Sequence, residues 1–397
     1  MEPKKKPKLP LFIFIDAFGW EVLSRHSFFL DDLAPHRKKL ETILGYSSAC
    51  DPSIVSGKLP YQHGLWSSFY YAPETSPFRW LRWFQFLPRQ LTSRGRVRHW
   101  LSRIIKKIHG FTGYFQIYNV PFELLRLFDY AEKKRFWVAG GMPRGRSIFD
   151  ELDEKNIGHY VHESSQSDPT KLARLRQCIE EQSIEFAYIS LGKLDALMHA
   201  KGPLHPEVTD LVHWYDEEIR ELIELANQYY EDVPFYVFTD HGMHEVKETC
   251  DLKREIEALG LVHEVDYTAF YDSTMGRFWC LNEKAKSMLT GFLSKHEQGV
   301  LLTDTELENL GVLFQDRQYG DLIYLMNPGT LIVPSYMGAK RIAGMHGFHP
   351  SSPDSAAAIS SNRVLSHDLV RIEQIFGIMK NELDLRNEGK VTAPARP

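Results

Sequence analysis

Asp195 and His199 stand four residues apart, a spacing that places both on one face of a helix. Asp240-His241-Gly242 follows the apolar run Phe235–Phe238, and Asp16 follows the apolar run Leu11–Ile15. Both carboxylates therefore stand where a strand would deliver side chains to a site. His346 lies in Gly344-Met345-His346-Gly347, between glycines that admit close backbone approach. Three carboxylates and three imidazoles form a mixed oxygen and nitrogen donor set of the kind that Zn²⁺ and Mn²⁺ accept. Singly these signals are weak, because the chain has 17 histidines and an aspartate after a strand is commonly only a helix N-cap. Their weight comes from occurring together in one order.

The elements that must position them follow from hydrophobic patterning. Four short apolar runs, Leu11–Ile15, Phe136–Ala139, Ile184–Ile189 and Phe235–Phe238, read as buried strands of a parallel sheet. Helical stretches separate them, among them Asp168–Gln182, with Asp168 as expected N-cap and Pro169 opening the helix, and Val208–Tyr230. The expected fold is α/β: a doubly wound, mostly parallel sheet with helices on both faces. Ligands of such sheets sit beyond the carboxyl ends of the strands, where Asp16, Ser190 and Asp240 fall.

The chain reads as one α/β domain over 1–397 with two interruptions and a frayed tail over 381–397. The first interruption, 66–134, contains a stretch from Thr75 to Val120 without one acidic residue. That stretch carries Arg79, Arg82, Arg89, Arg94, Arg96, Arg98, Arg103, Lys106 and Lys107, interleaved with Trp80, Trp83 and Trp100. It reads as a cap over the site mouth, either packed on the core or binding anionic lipid headgroups or a phosphate-rich substrate. The second interruption, 268–340, holds the strand-like runs Leu322–Leu325 and Leu331–Val333.

Composition bounds the rest. With 47 basic and 52 acidic side chains the net charge is -5, which gives no global reason to expect nucleic-acid binding. Cys50, Cys178, Cys250 and Cys280 lack CxxC spacing and read neither as a disulfide framework nor as a thiolate zinc site. Lys4, Lys5 and Lys6 before an apolar run imitate a signal peptide, but the run is short and ends in Asp16. The expectation is a mature cytoplasmic start, at most peripheral to a membrane.

In this order the motifs resemble the alkaline phosphatase superfamily, most closely its nucleotide pyrophosphatase/phosphodiesterase branch. Members begin with a strand ending in a metal-binding Asp, here Phe12-Ile13-Phe14-Ile15-Asp16. A nucleophile follows ten residues before the Gly of a [ST]-G-x-x-P-x-x-H-G motif; the motif runs here from Ser56 to Gly64, and ten back from Gly57 is Ser47. D-x-x-x-H-x-x-G-P is matched by Asp195, His199, Gly202 and Pro203, D-H-G-M by Asp240 to Met243, and G-x-H-G by Gly344 to Gly347.

The resemblance implies that Asp195, His199 and His346 hold one divalent ion. Asp16, Asp240 and His241 hold a second, which also contacts Ser47. Zinc is expected, with manganese second. The implied reaction is hydrolysis of phosphodiester or pyrophosphate bonds through a phosphoseryl intermediate, on a small phosphate ester that is nucleotide- or lipid-linked. Rival readings are a phosphomonoesterase or phosphomutase of the same superfamily, and a binding protein that kept the fold without catalysis. The branch usually has Thr-Phe-Pro-Asn at the nucleophile, where this chain has Ser47-Ser48-Ala49-Cys50 and so lacks the Asn. Ser48 competes with Ser47 for the role; the spacing favours Ser47. Cys50-Asp51-Pro52-Ser53 begins a sulfatase motif but continues with Ile54 in place of Arg, and it is out of register with the nucleophile position. Cys50 is therefore expected to be a small buried thiol.

Overall fold

The computed structural model describes residues 4–390, apart from 85, 87, 89–91, 93, 163 and 164, with side chains described as far as 384. Arg89 of the basic stretch thus lies outside the described residues.

A six-stranded sheet organises the molecule. Its strands are β1 (Leu11–Ile15), β2 (His36–Leu40), β3 (His159–Val161), β4 (Phe186–Leu191), β5 (Phe235–Phe238) and β6 (Ala357–Ser361). The order across the sheet is β2-β6-β5-β1-β4-β3. β5, β1, β4 and β3 pair in parallel, and β6 runs antiparallel to both of its neighbours. β1 is buried along its whole length because both sheet faces are covered. Its alternation divides it between two cores: Leu11, Ile13 and Ile15 enter one, while Phe12 and Phe14 enter the other.

Helices line each face. On the first, α2 (Asp168–Glu180) contributes Leu172, Leu175 and Ile179, and α4 (Pro206–Tyr229) contributes Leu211, Tyr215, Ile219 and Leu222. On the second, α1 (Ser47–Ser56) contributes Ile54 and Val55, beside a C-terminal helix that contributes Ile375, Met379 and Leu383. α3 (Lys193–Lys201) follows β4 and carries Asp195 and His199.

A second, four-stranded antiparallel sheet is built from Tyr267–Tyr271, Met275–Cys280, Gly299–Leu302 and Leu322–Met326. It shares a core with the basic segment: Phe78, Leu81, Ile105 and Phe115 pack with Phe270, Phe278 and Tyr324. That segment contains a 3₁₀ turn at Arg79–Phe84 and a helix at Gly95–Ile108.

Three expectations need correction. Phe136–Ala139 is not a strand; Phe136 and Trp137 are buried in a turn that runs into Gly140-Gly141. Over 381–390 the expected frayed tail is helical, with Leu383 fully buried, because apolar Ile375, Met379 and Leu383 recur one helical turn apart, while 391–397 lie outside the described residues. Asp168 is the first residue of α2 rather than its N-cap, which is Ser167. Its carboxylate caps a different helix: it accepts hydrogen bonds from the backbone N–H of Gly192 and Lys193 at 3.2 and 3.0 Å, where α3 begins.

Candidate functional site

β1, β4 and β5 are neighbours in the sheet, so the chain leaving their carboxyl ends converges. Asp16 follows β1 and Asp240 and His241 follow β5, while α3 descends from β4 with Asp195 and His199 on one face. Backbone contacts too close for any side chain hold the arrangement. A Cβ on Gly242 would stand 2.2 Å from the Asp354 carbonyl oxygen, and one on Gly344 would stand 2.5 Å from the Met198 carbonyl oxygen. The second contact seats the segment bearing His346 against α3, which explains the glycine before it.

All six expected ligands come together in two groups. Asp195, His199 and His346 form one, and Asp16, Asp240 and His241 the other, each with its donor atoms within 4.8 Å of one another. The groups abut, because the His241 and His346 rings stack with centroids 3.7 Å apart. Ser47, the first residue of α1, has its Oγ 3.1 Å from His241 Nε2.

The donor chemistry fits bound cations. His199 Nδ1 lies 2.8 Å from the Gly344 carbonyl oxygen, and His241 Nδ1 lies 3.0 Å from that of Gly242. A carbonyl only accepts, so each ring donates through Nδ1–H and presents a bare Nε2. His199 Nε2 then faces Asp195 Oδ1 at 3.2 Å, and His241 Nε2 faces Asp240 Oδ2 at 3.0 Å and Asp16 Oδ1 at 3.7 Å. Such pairs require a positive charge between them, supplied by a proton on Nε2 in the absence of an ion and by a bound cation that displaces it. Consistently, Asp16 Oδ1, Asp195 Oδ1, Asp240 Oδ2 and His346 Nδ1 are buried and make no hydrogen bond.

Electrostatics show how strongly the carboxylates call for positive charge. Burial disfavours a charged His241, but Asp240, Asp16 and Asp195 outweigh it and push the ring up to about 9. Burial, then Asp195 and Asp240, holds the Asp16 carboxyl well above its usual range. Burial and the neighbouring His241 and His199 push His346 well below its ordinary value, which keeps it neutral, as a ligand must be.

Cys50 is fully buried, and that burial raises its thiol well above the normal value, which leaves it an unreactive packing residue. Ser48 turns away: its Oγ donates to the Trp66 carbonyl oxygen at 3.3 Å.

Three supporting residues escape sequence reasoning. Asp168, besides capping α3, accepts from Tyr215 Oη at 2.7 Å. Lys171 donates from Nζ to the Ser190 carbonyl oxygen at 2.6 Å and is a positive neighbour of Asp16. Asp51, one turn after Ser47 on α1, has a buried Oδ1 without a hydrogen bond, and burial followed by Asp240 and Asp16 raises its carboxyl well above normal. Only the i, i+4 spacing to Ser47 hinted at Asp51.

His63, in the motif after Ser47, is a brace. Its Nδ1 accepts from the Leu65 backbone N–H at 3.1 Å, and its Nε2 lies 2.8 Å from Ser53 Oγ on α1. Burial holds the ring down to about 3, well below the ~6.5 of an unfolded chain. The unfolded state therefore binds the extra proton as pH falls below ~6.5. His63 thus draws down stability by up to ~1.4 kcal/mol per unit between there and about 3, and its contribution is complete above that window. Urea midpoints measured from pH 8 to 4 should fall less steeply for His63→Gln than for wild type; equal slopes would show the ring is not buried neutral.

A family profile described as type I phosphodiesterase / nucleotide pyrophosphatase matches residues 11–349. No curated protein sequence matches the chain. Among solved structures, an inactive variant of murine ectonucleotide pyrophosphatase / phosphodiesterase 5 in complex with AMP superposes with a TM-score of 0.67 at 12% identity, covering 96% of this chain and 95% of that one. Human ectonucleotide pyrophosphatase / phosphodiesterase 5 gives 0.64 at 12% identity, with the same coverage. The ordered motifs, the sheet and the profile spanning both ligand groups agree: the chain belongs to the type I phosphodiesterase / nucleotide pyrophosphatase family, hydrolases of phosphodiester and pyrophosphate bonds, in the alkaline phosphatase superfamily.

Proposed function

We propose that this chain cleaves a phosphodiester or pyrophosphate bond in two displacements at Ser47, with two divalent cations held by Asp195, His199 and His346 and by Asp16, Asp240 and His241. The observation that carries the reading is the convergence of Ser47 Oγ with both ligand groups around the stacked His241 and His346 rings. The oxygen and nitrogen donors suit zinc, with manganese second. When bound, such ions favour the serine alkoxide and offset negative charge on the phosphoryl oxygens.

The chain's own residues supply position. Ser47 opens α1, so its Oγ and the first backbone N–H groups of that helix point toward the same place. Those N–H groups and the helix dipole suit a phosphoryl oxygen, a task left open by Cys50 standing where the family has Asn. As the Ser47 Oγ–P bond forms, the Oγ proton passes to solvent and the P–O bond to the leaving group breaks, its oxygen departing with the bonding pair and taking up a proton from water. Water then attacks the phosphoserine, which restores the Ser47 hydroxyl and frees the phosphate product. The AMP seen with the murine relative motivates a nucleotide as the first substrate to try.

The test is a screen of bis-p-nitrophenyl phosphate, p-nitrophenyl phosphate, p-nitrophenyl sulfate and a nucleotide phenylphosphonate, with Zn²⁺ or Mn²⁺ present. The diester and the phosphonate should be turned over at least ~10-fold faster than the monoester, with no sulfate hydrolysis. Turnover of the monoester alone would replace this reading with a phosphomonoesterase.

A second reading concerns the basic segment. On the helix Gly95–Ile108, Arg98, Ser102 and Ile105 are buried, and Arg98 donates to the Tyr118 carbonyl oxygen at 2.6 Å. Trp100, Ile104 and Ile108 are exposed and follow one another by single helical turns, with exposed Arg96, Arg103 and Lys107 beside them. Trp83, Phe84 and Phe86 add further exposed apolar surface. An open cleft of about 550 Å³ lined by Arg79, Trp80, His109 and Lys133 lies in the same region and shares no residue with the ligand groups. No helix among the described residues is long and apolar enough to cross a membrane. We infer that this face rests on an anionic bilayer, each cation contributing ~1 kcal/mol. The protein should float with anionic but not zwitterionic vesicles and be released by salt, and an Arg96, Arg103, Lys107→Glu variant should stay behind. Equal flotation of the two proteins removes the inference.

A further inference from the structure

Among the described residues the arrangement that marks the two ligand groups recurs once more, in the part of the chain that packs around the four-stranded sheet, the second lobe. Cys250 ends the strand Glu248–Cys250, Glu255 lies on the helix Leu252–Glu257, and His296 follows the helix Glu283–Leu293. Their donor atoms lie within 4.8 Å of one another. His296 Nε2 is 2.8 Å from Glu255 Oε2, and Cys250 Sγ is 3.9 Å from Glu255 Oε1.

Tyr324 sets the tautomer. Its Oη–H donates to the His296 carbonyl oxygen at 3.0 Å, so its oxygen is left to accept from His296 Nδ1–H at 2.6 Å. Nε2 is then the nitrogen that faces the Glu255 carboxylate, with the Cys250 sulfur beside it. Among the described residues no Lys or Arg pairs with Glu255; its ion-pair partner is His296. A ring nitrogen, a carboxylate and a sulfur drawn from three separate elements thus converge so that one cation, on displacing the protons they carry, could be shared by all three.

We propose that Cys250, Glu255 and His296 form a third metal site, distinct from the catalytic pair, that takes one Zn²⁺ with water as the fourth ligand. The sulfur selects zinc over magnesium, calcium and manganese. Cys250 is buried, whereas the Glu255 side chain is 42% exposed, which leaves a route for the ion and a place for the water. On binding, the Cys250 S–H proton is released and the thiolate bonds the metal. The site clamps the helix Leu252–Glu257 and the chain after Leu293 onto the strand that ends at Cys250. This strand pairs in parallel with Thr330–Ile332, so the clamp stiffens one side of the second lobe. CxxC spacing could not reveal the site, because only one of its ligands is a cysteine and the third lies far along the chain.

The two catalytic groups contain no cysteine, so sulfur-to-cobalt charge transfer reports on this site alone. Full-length protein loaded with Co²⁺ should show that near-ultraviolet band, and Ser47→Ala and His346→Ala should keep it. Cys250→Ser should lose the band, carry one zinc fewer per chain, and retain hydrolysis. His296→Gln should give the same losses, which guards against one variant failing to fold. Folded wild-type protein without the band, or a band that survives Cys250→Ser, overturns the proposal while leaving the catalytic reading intact. A band in a protein without hydrolytic activity would sink the catalytic reading and leave the third site standing.

Discussion

Ser47→Ala is expected to lower turnover by about 10³-fold or more while leaving fold and metal content unchanged. The hydroxyl opens α1 3.1 Å from His241 Nε2, so its removal takes away the atom proposed to bond phosphorus. Nothing else need collapse. Ser47 begins α1 without serving as its N-cap, which is Tyr46, and the carboxylates and imidazoles that would hold the ions are supplied from other elements. Ser47→Thr keeps a hydroxyl of the kind the family uses and should restore part of the rate. Ser48→Ala removes only a 3.3 Å hydrogen bond to the Trp66 carbonyl oxygen, worth about 1 kcal/mol, and should stay active. Kinetics with equal metal loading, checked by elemental analysis, decide the matter. An inactive Ser48→Ala beside an active Ser47→Ala would overturn the assignment.

Legibility followed burial. β1 and β5 are all-apolar because they lie at the centre of a sheet covered on both faces, and each runs directly into a ligand. β2 was hidden by its sequence, His-Arg-Lys-Lys-Leu, which an edge strand tolerates because one side meets solvent. β6, Ala-Ala-Ile-Ser-Ser, has small residues because it is buried between β2 and β5, and small polar residues do not advertise a strand. Phe136–Ala139 misled in the other direction: apolar content buried Phe136 and Trp137, but the chain turns through Gly140-Gly141 and leaves Val138 and Ala139 exposed.

The ligands were legible because each stands at a fixed offset within a short motif, whereas their supports act across the fold. Asp168 reaches from the start of α2 to the start of α3, and no local spacing encodes that contact. Cys250 and His296 likewise meet only because the second lobe folds back on itself.

The two ligand groups touch through His241 and His346 but do not share a donor, and that separation makes the second large prediction sharp. His346→Ala should cost the ion held with Asp195 and His199, leave the ion held by Asp16, Asp240 and His241, and reduce turnover by at least ~10²-fold. The metal-free protein should barely notice. His346 is buried, is held neutral, and leaves Nδ1 without a hydrogen bond, so the lost packing is partly offset by removal of an unsatisfied polar atom. The difference should therefore emerge on adding metal, since an ion that binds only the folded chain stabilises it by RT ln(1 + [L]/Kd). Wild-type protein titrated with zinc should rise in melting temperature through both sites, and the variant should lose the part that comes from Asp195, His199 and His346. A variant that still binds both ions, or one that loses both, would mean that the donors are divided differently from this geometry.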